Sequence, residues 1–346
     1  HALGIPTTRA LCITTGSDTV WRETLEPAAM LLRVAASHIR FGSFEFFHYS
    51  GQHERVRELA QYCIANYYPE CASSDGEPDY RLFLQAVVER TARLIAQWQC
   101  AGFAHGVLNT DNMSIVGETF DFGPYGFLDR YNEAYICNHS DHQGRYAFNA
   151  QPGIGLWNLS ALAQALSSLL GEEQRQHALA AYEPALIRYY SATMLRKLGL
   201  VDQQNTDQAL VQDLLDLMQA NAVDFNLVFR ELAEVSMQGN AACKVTDRFT
   251  RAQGFAQWLQ RYRKRLCNNA LDDEARRRLM QRTNPLYVPR NHLAQLAIER
   301  AENGDYGELE QLVGVLAAPF TEQRGQHNYA AEAPAWSESL QISCSS

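Results

Sequence analysis

At 346 residues, 46% of them apolar, the chain is long enough for one large or two ordinary domains with a substantial core. A net charge of −9 argues against general nucleic-acid binding, which depends on phosphate neutralisation by Lys and Arg. No run of 18 apolar residues occurs, so no membrane span is expected.

The first elements are short and strand-like, Thr8 to Ile13 (TRALCI) and Met30 to Val34 (MLLRV), with turn residues at Gly16-Ser17-Asp18. An aromatic cluster follows Gly42 (Phe44, Phe46, Phe47, Tyr49) and reads as core packing rather than as stacking on a base. Beyond Gly51 the period becomes helical, over Gln52 to Tyr67 and Asp79 to Gln99. In the second of these, Tyr80, Phe83, Val87, Leu94 and Trp98 share a face. A polar loop from Ala72 to Pro78 separates the two.

Next comes HGVLNTDNMSIVGETFDFGPYG, His105 to Gly126, expected as loop, β-hairpin (Met113 to Val116, Thr119 to Phe120) and loop. From Trp157 the chain reads as helix after helix: Leu156 to Leu170, Glu183 to Leu198, Asp207 to Ala220, Asp224 to Glu234, Ala252 to Arg265, Asp272 to Asn284, and a pair from Asn291 to Leu316. The basic runs RYRKR and RRR fall within these helices and read as solvated faces. Residues 321–346 read as a loose polar tail.

The chemistry concentrates in the loop. Asp111, Asn112 and Asp121 are hard oxygen ligands, and Mg²⁺ takes a few of these while substrate phosphate and water fill its octahedron. His-Gly, an Asn seven residues after the His, and Asp-Phe-Gly form the order in which protein kinases hold Mg²⁺ against a nucleotide. Val107 stands where a kinase places its catalytic base, and Asp111 is the nearby acid. The competing reading is a polar loop whose Asp and Asn only make turns. CNHSDH (Cys137 to His142) looks metal-like but lacks a second ligand pair, and a polar loop is the stronger reading than zinc. The eight cysteines include no CxxC pair and read as scattered reduced thiols, with Cys344 exposed in the final SCSS.

These runs, with GIPTTRAL, VWRETLEPAAMLLRVAASHIRFGSFEFF, CNHSDHQGRYAFNAQPGIGLWNL, NPLYVPRNH and the terminal CSS, closely resemble the selenoprotein O family, called YdiU in bacteria. The resemblance covers essentially the whole chain. It implies an α+β, protein-kinase-like fold with a predominantly α-helical C-lobe and a partial N-lobe remnant. On that basis residues 1–50 are the remnant and hinge, 51–320 the helical lobe, and 321–346 the tail. It implies AMP transfer from ATP to Ser, Thr or Tyr hydroxyls of proteins, with Mg²⁺ or Mn²⁺. UMP transfer from UTP and a non-catalytic nucleotide-binding scaffold or redox sensor are the alternatives. By resemblance, Asp111 is the proton acceptor, Asn112 and Asp121 hold the metal, and Arg33, Arg40 and Asp121 meet the nucleotide. The same comparison makes Cys137 and Cys344 a candidate redox disulfide. Proteins and nucleotide are the expected partners, nucleic acid and membrane are not, and a cytoplasmic location is expected. In the family a Gly-rich segment, a phosphate-binding Lys and its Glu precede GIPTTRAL, so these 346 residues alone are expected to have little transferase activity.

Overall fold

Two long strands, β1 (Arg9–Trp21) and β2 (Leu25–Val34), pair antiparallel near the start of the chain. The structure, a computed structural model, describes residues 1–21, 25–238, 243–250 and 253–342. The expected turn at Gly16-Ser17-Asp18 lies inside β1 instead. The ladder shifts register between Thr15 and Thr19, so the turn-forming residues are absorbed as an irregularity within a strand. Arg33 sits near the end of β2, and the segment after it leads to Arg40, which precedes α1 (Phe41–Tyr49). The aromatic cluster is thus helical. Phe44 is buried, whereas Phe46 and Tyr49 are exposed.

α2 (His53–Tyr67) and α3 (Tyr80–Ala101) follow. The Asp79 carboxylate caps α3 by accepting the Leu82 N–H at 2.9 Å. Phe83, Leu84, Val87, Val88, Leu94, Ile95 and Trp98 are buried along it at helical spacing. Gly102 ends the helix with φ +68°, and a Cβ there would lie 2.8 Å from the Phe225 ring. Two short strands then pair, β3 (Phe103–Ala104) with β4 (Gly126–Phe127), and tie together the ends of the His105 loop.

The expected hairpin inside that loop does not form. Ser114 bridges to Arg40 and Thr119 to Thr7, so each side is taken by a different part of the chain. The Thr119 N–H donates to the Pro6 carbonyl (2.9 Å), and the Thr8 N–H to the Thr119 carbonyl (3.0 Å). These segments offer backbone partners that the two sides of a hairpin would otherwise have to offer each other.

The remaining helices are α4 (Gln151–Ala165), α5 (Glu172–Ala180), α6 (Tyr182–Lys197), α7 (Asp207–Asn221), α8 (Phe225–Leu232), α9 (Phe255–Cys267), α10 (Asp273–Thr283), α11 (Asn291–Glu302) and α12 (Gly307–Ala317). Of these α5 was not expected, and the expected start of α9 at Ala252 lies outside the described residues. One core surrounds α3 and takes Phe41 and Phe44 from α1. A second gathers α6 to α10 around Trp258 and Tyr262, and a third joins α11 and α12 through Tyr287 and Tyr329.

Buried charges connect these layers. Arg265 meets Asp207 through two contacts, 2.7 and 3.1 Å, between α9 and α7. Arg290, just before α11, reaches Asp129 after β4 at 2.6 Å and the Asp224 cap of α8 at 2.7 Å. The neighbouring Asn291 amide donates to the Tyr125 carbonyl at 3.1 Å, so this motif anchors the far end of the loop. Arg290→Met strands the buried Asp224 carboxylate and is expected to destabilise the protein by about 3–5 kcal/mol. A fall in the urea unfolding midpoint at unchanged slope checks it.

The tail is more ordered than its sequence implied. Tyr329 is buried, Glu332 pairs with Arg248, Glu338 pairs with Arg130, and the Ile342 carbonyl accepts the His139 N–H at 2.7 Å. Its missing helical period reflects short 3₁₀ turns held by contacts to the body.

Candidate active site

The loop between β3 and β4 is held by its carbonyls. The His105 side chain is buried, and its Nε2 lies 2.9 Å from the Phe120 carbonyl. A carbonyl only accepts, so Nε2 carries the proton. Burial lowers the pKa of this imidazole, which favours the neutral ring. His105 therefore fixes the residue immediately before Asp121. The Gln151 side chain accepts the His105 N–H at 2.9 Å and donates to the Phe103 carbonyl at 2.9 Å. Three asparagines hold successive carbonyls: Asn138 that of Gly106 (3.2 Å), Asn112 that of Val107 (2.8 Å) and Asn158 that of Leu108 (3.0 Å).

Gly106 has φ +81°, and a Cβ on it would lie 2.4 Å from the Pro124 carbonyl and 2.7 Å from Cys137 Sγ. The glycine of the His-Gly pair is thus required by a close approach in a left-handed conformation. Asp121 also has a positive φ, +65°, a position that Asp tolerates better than most residues and that often marks a functional constraint.

Arg33 and Arg40 both lie beside Asp121. Asp121 Oδ1 is 3.3 Å from Arg33 Nη1, and Oδ2 is 3.6 Å from Arg40 Nη1. The Arg40 guanidinium also lies 5.1 Å from the centre of the Phe120 ring. All three charged side chains stay 29–39% exposed, so the cluster is open to a ligand. Two guanidinium groups around one carboxylate leave a surplus positive charge, which suits a polyphosphate.

Asp111 occupies a different face of the same segment. It lies in a one-turn 3₁₀ helix, Thr110–Asn112, and is exposed. Its carboxylate packs against Gly42 in the first turn of α1: a Cβ on Gly42 would sit 2.0 Å from Asp111 Oδ1. The short run Arg40–Gly42 therefore touches both acids, Asp121 through the Arg40 side chain and Asp111 through the bare Gly42 backbone. The Phe41 N–H donates to the Met113 carbonyl at 3.0 Å and locks this crossing.

Among the described residues no three His, Cys, Asp or Glu side chains gather into a metal cluster. Asn112 and Asp121 are the two hard-oxygen residues that the sequence motif puts forward for a metal. Asn112 spends its Nδ2 on Val107, which leaves Oδ1 as an acceptor, and Asp121 adds a carboxylate. One carboxylate and one amide oxygen fit a Mg²⁺ whose other ligands are phosphate and water.

Sequence comparison gives this arrangement its family. The family model described as Protein adenylyltransferase SelO matches residues 1–317. The chain belongs to the SelO family. A Protein nucleotidyltransferase YdiU of Pectobacterium atrosepticum is 51% identical over 346 residues, covering all of this chain and 71% of the relative. Proteins of the same name from Pseudomonas fluorescens and Myxococcus xanthus are each 49% identical, again over all of this chain and 71% of theirs. Nucleotidyl transfer is thus the activity that the names of these SelO relatives share.

Residues outside the expected set matter as well. Gly42, Asn138, Gln151 and Asn158 gave no signal of their own, because amide-to-carbonyl contacts across many residues follow no period. In CNHSDH, Asp141 accepts the N–H groups of Arg145 (2.9 Å) and Tyr146 (2.7 Å), so it builds a turn. Cys137 is buried, with Sγ 3.5 Å from the Ala104 carbonyl, and burial pushes its thiol pKa up to about 12. Cys344 lies outside the described residues.

Proposed function

We propose that this SelO-family chain transfers AMP from ATP to Ser, Thr or Tyr hydroxyls of acceptor proteins. The observation that carries the reading is the convergence of Arg33 and Arg40 on Asp121, one short segment away from Asp111. In the reaction an acceptor oxygen forms a bond to the α-phosphorus. The bond from that phosphorus to the bridging oxygen breaks, and pyrophosphate leaves with the electron pair. Asp111 takes the hydroxyl proton. Arg33 and Arg40 hold the polyphosphate and offset the charge that gathers on the departing oxygens. A Mg²⁺ or Mn²⁺ held by Asn112 and Asp121 would neutralise phosphate charge. The chain itself contributes positioning: His105 and the three asparagines set the loop, and Gly42 leaves room for Asp111.

The family's description, adenylyltransferase, supports AMP as the group transferred, while the relatives' names leave the base open. UMP transfer from UTP uses the same steps. Mass spectrometry of a protein acceptor incubated with full-length protein, ATP and UTP separates the cases. Addition of AMP is expected. Addition of UMP alone moves the specificity to uridine, and addition of phosphate or of nothing contradicts the reading.

The tail supports a redox link as part of this function. The Ile342 carbonyl is bonded to the His139 N–H, so the chain is held two residues short of Cys344 beside a residue two beyond Cys137. Burial pushes the Cys137 thiol pKa up to about 12, so Cys137 is a poor attacking nucleophile at neutral pH. Exchange with a small disulfide oxidant would join the two sulfurs and release the oxidant as two thiols. A non-reducing peptide map of oxidised protein is expected to contain a Cys137–Cys344 cross-link that vanishes in Cys344→Ser. Both thiols free under oxidant would contradict it.

A further inference from the structure

An open groove of about 700 Å³ has Asp111 in its lining. Its walls are the segment before α1 (Ser37, His38, Ile39), the exposed Phe46 and partly buried Phe47 of α1, and α2 (Leu59, Tyr62). Phe46 is 66% exposed and Tyr62 52%, although both rings are large and apolar. Their helices bury other faces: Phe41 and Phe44 from α1, and Val56, Ala60, Cys63 and Ile64 from α2, enter the core. The exposed rings are therefore left over after the helices have satisfied the core, and they stand beside the acid that the proposed reaction uses. The groove's titratable lining other than the tyrosines is confined to His38 and Asp111. That lining suits an apolar partner better than a highly charged one.

We propose that this groove receives an extended segment of the acceptor protein and selects an apolar side chain close to the hydroxyl that is modified. The inference rests on the reading of Asp111 as proton acceptor, which places the hydroxyl at the wall of this groove. The occupant follows from that continuity: a polypeptide presenting a hydroxyl to Asp111 must run either into this groove or away from it. Running into it covers two exposed aromatic rings. From Gly42, where Asp111 rests, to Phe46 is one helical turn, about 6 Å. An extended chain advances about 3.3 Å per residue, so the selected apolar residue lies roughly two residues from the hydroxyl. Aromatic side chains on a rigid helix face are the usual anchors for such recognition. Phe46 and Tyr62 thereby become specificity-determining residues that take no part in the chemistry.

The test uses a synthetic peptide library with a central Tyr, Ser or Thr and a single Leu or Phe scanned along an otherwise polar sequence. One arm captures peptides on the immobilised chain without nucleotide. The other measures nucleotide incorporation by the full-length protein. Phe46→Ala with Tyr62→Ala should fold normally, since both side chains are exposed, and Phe46→Leu should restore part of the effect. The expected result is at least tenfold enrichment of peptides with the apolar residue about two positions from the hydroxyl, lost in the double variant. In the incorporation arm the double variant should raise the peptide KM and leave the nucleotide KM unchanged. Equal capture by both proteins, or enrichment without positional preference, overturns the inference. Positional capture that depends on the two rings, with no incorporation from any nucleotide, would instead count against the transfer reading while leaving the groove as a peptide site.

Discussion

Asp121→Ala is expected to remove the metal dependence of nucleotide binding and to lower transfer on the order of 10³-fold or more, with the fold intact. The size follows from what the residue does. In the proposed site it is the single carboxylate offered to the metal, and Arg33 and Arg40 converge on it. Removing it leaves an amide oxygen, which is too little to hold a hard cation against water. The arginines lose their partner but are 29% and 30% exposed, so water takes over at small cost, and the positive φ, which Ala tolerates less well than Asp, adds about 1–2 kcal/mol. Calorimetric titration of ATP with and without Mg²⁺ reads the effect. In the wild-type protein Mg²⁺ should strengthen binding. In the variant the two titrations should coincide, because the freed arginines still attract polyphosphate. Binding that stays equally metal-dependent would refute the role assigned to Asp121.

The second large effect is expected at Asp111. Asp111→Asn keeps the shape of the side chain and removes the proton acceptor, so kcat should fall by about 10²–10⁴-fold with the nucleotide Kd unchanged. Gly42→Ala provides an independent route to the same loss. Its new Cβ would stand 2.0 Å from Asp111 Oδ1, and the carboxylate must move away. The two substitutions act on one group, so the double variant should be scarcely worse than Asp111→Asn alone. A double variant with fully multiplied losses would mean that Gly42 acts through something other than Asp111. A kcat unchanged in Asp111→Asn would remove the residue from the mechanism.

Much of the helical part is legible in the sequence because periodicity reports a buried face directly. α3 is the clearest case: Asp79 caps it, Gly102 ends it, and Phe83, Val87, Leu94 and Trp98 mark its inner side. α5 escaped notice because it is short and, among its residues, buries only Ala178. The hairpin expected between Asn112 and Asp121 failed for a different reason. Local alternation indicates that a segment wants a backbone partner, and it does not say which one. Ser114 found Arg40, and Thr119 found Thr7. The tail misled similarly, since Tyr329, Glu332 and Glu338 are held by the body rather than by a helix of their own.

The site divides along the same line. Asp111, Asn112 and Asp121 are visible as residue types in a motif order. The convergence of Arg33 and Arg40 on Asp121 was not visible as geometry, because 88 residues separate Arg33 from it. Gly42 is more hidden still: nothing in FGSFEFF says that the missing side chain makes space for a carboxylate far along the chain. Asn138 and Asn158 behind the loop have the same character, each reaching a carbonyl that only the folded chain brings near.

The central claim is that this arrangement moves the nucleotidyl part of the nucleotide and not the terminal phosphate. ATP labelled at the α-phosphorus and, separately, at the γ-phosphorus decides it, with full-length protein, Mg²⁺ and a protein acceptor. The α-label is expected in the acceptor, the γ-label is expected to leave as pyrophosphate, and Asp121→Ala is expected to abolish the α-signal. Label in the acceptor from the γ-position would contradict it.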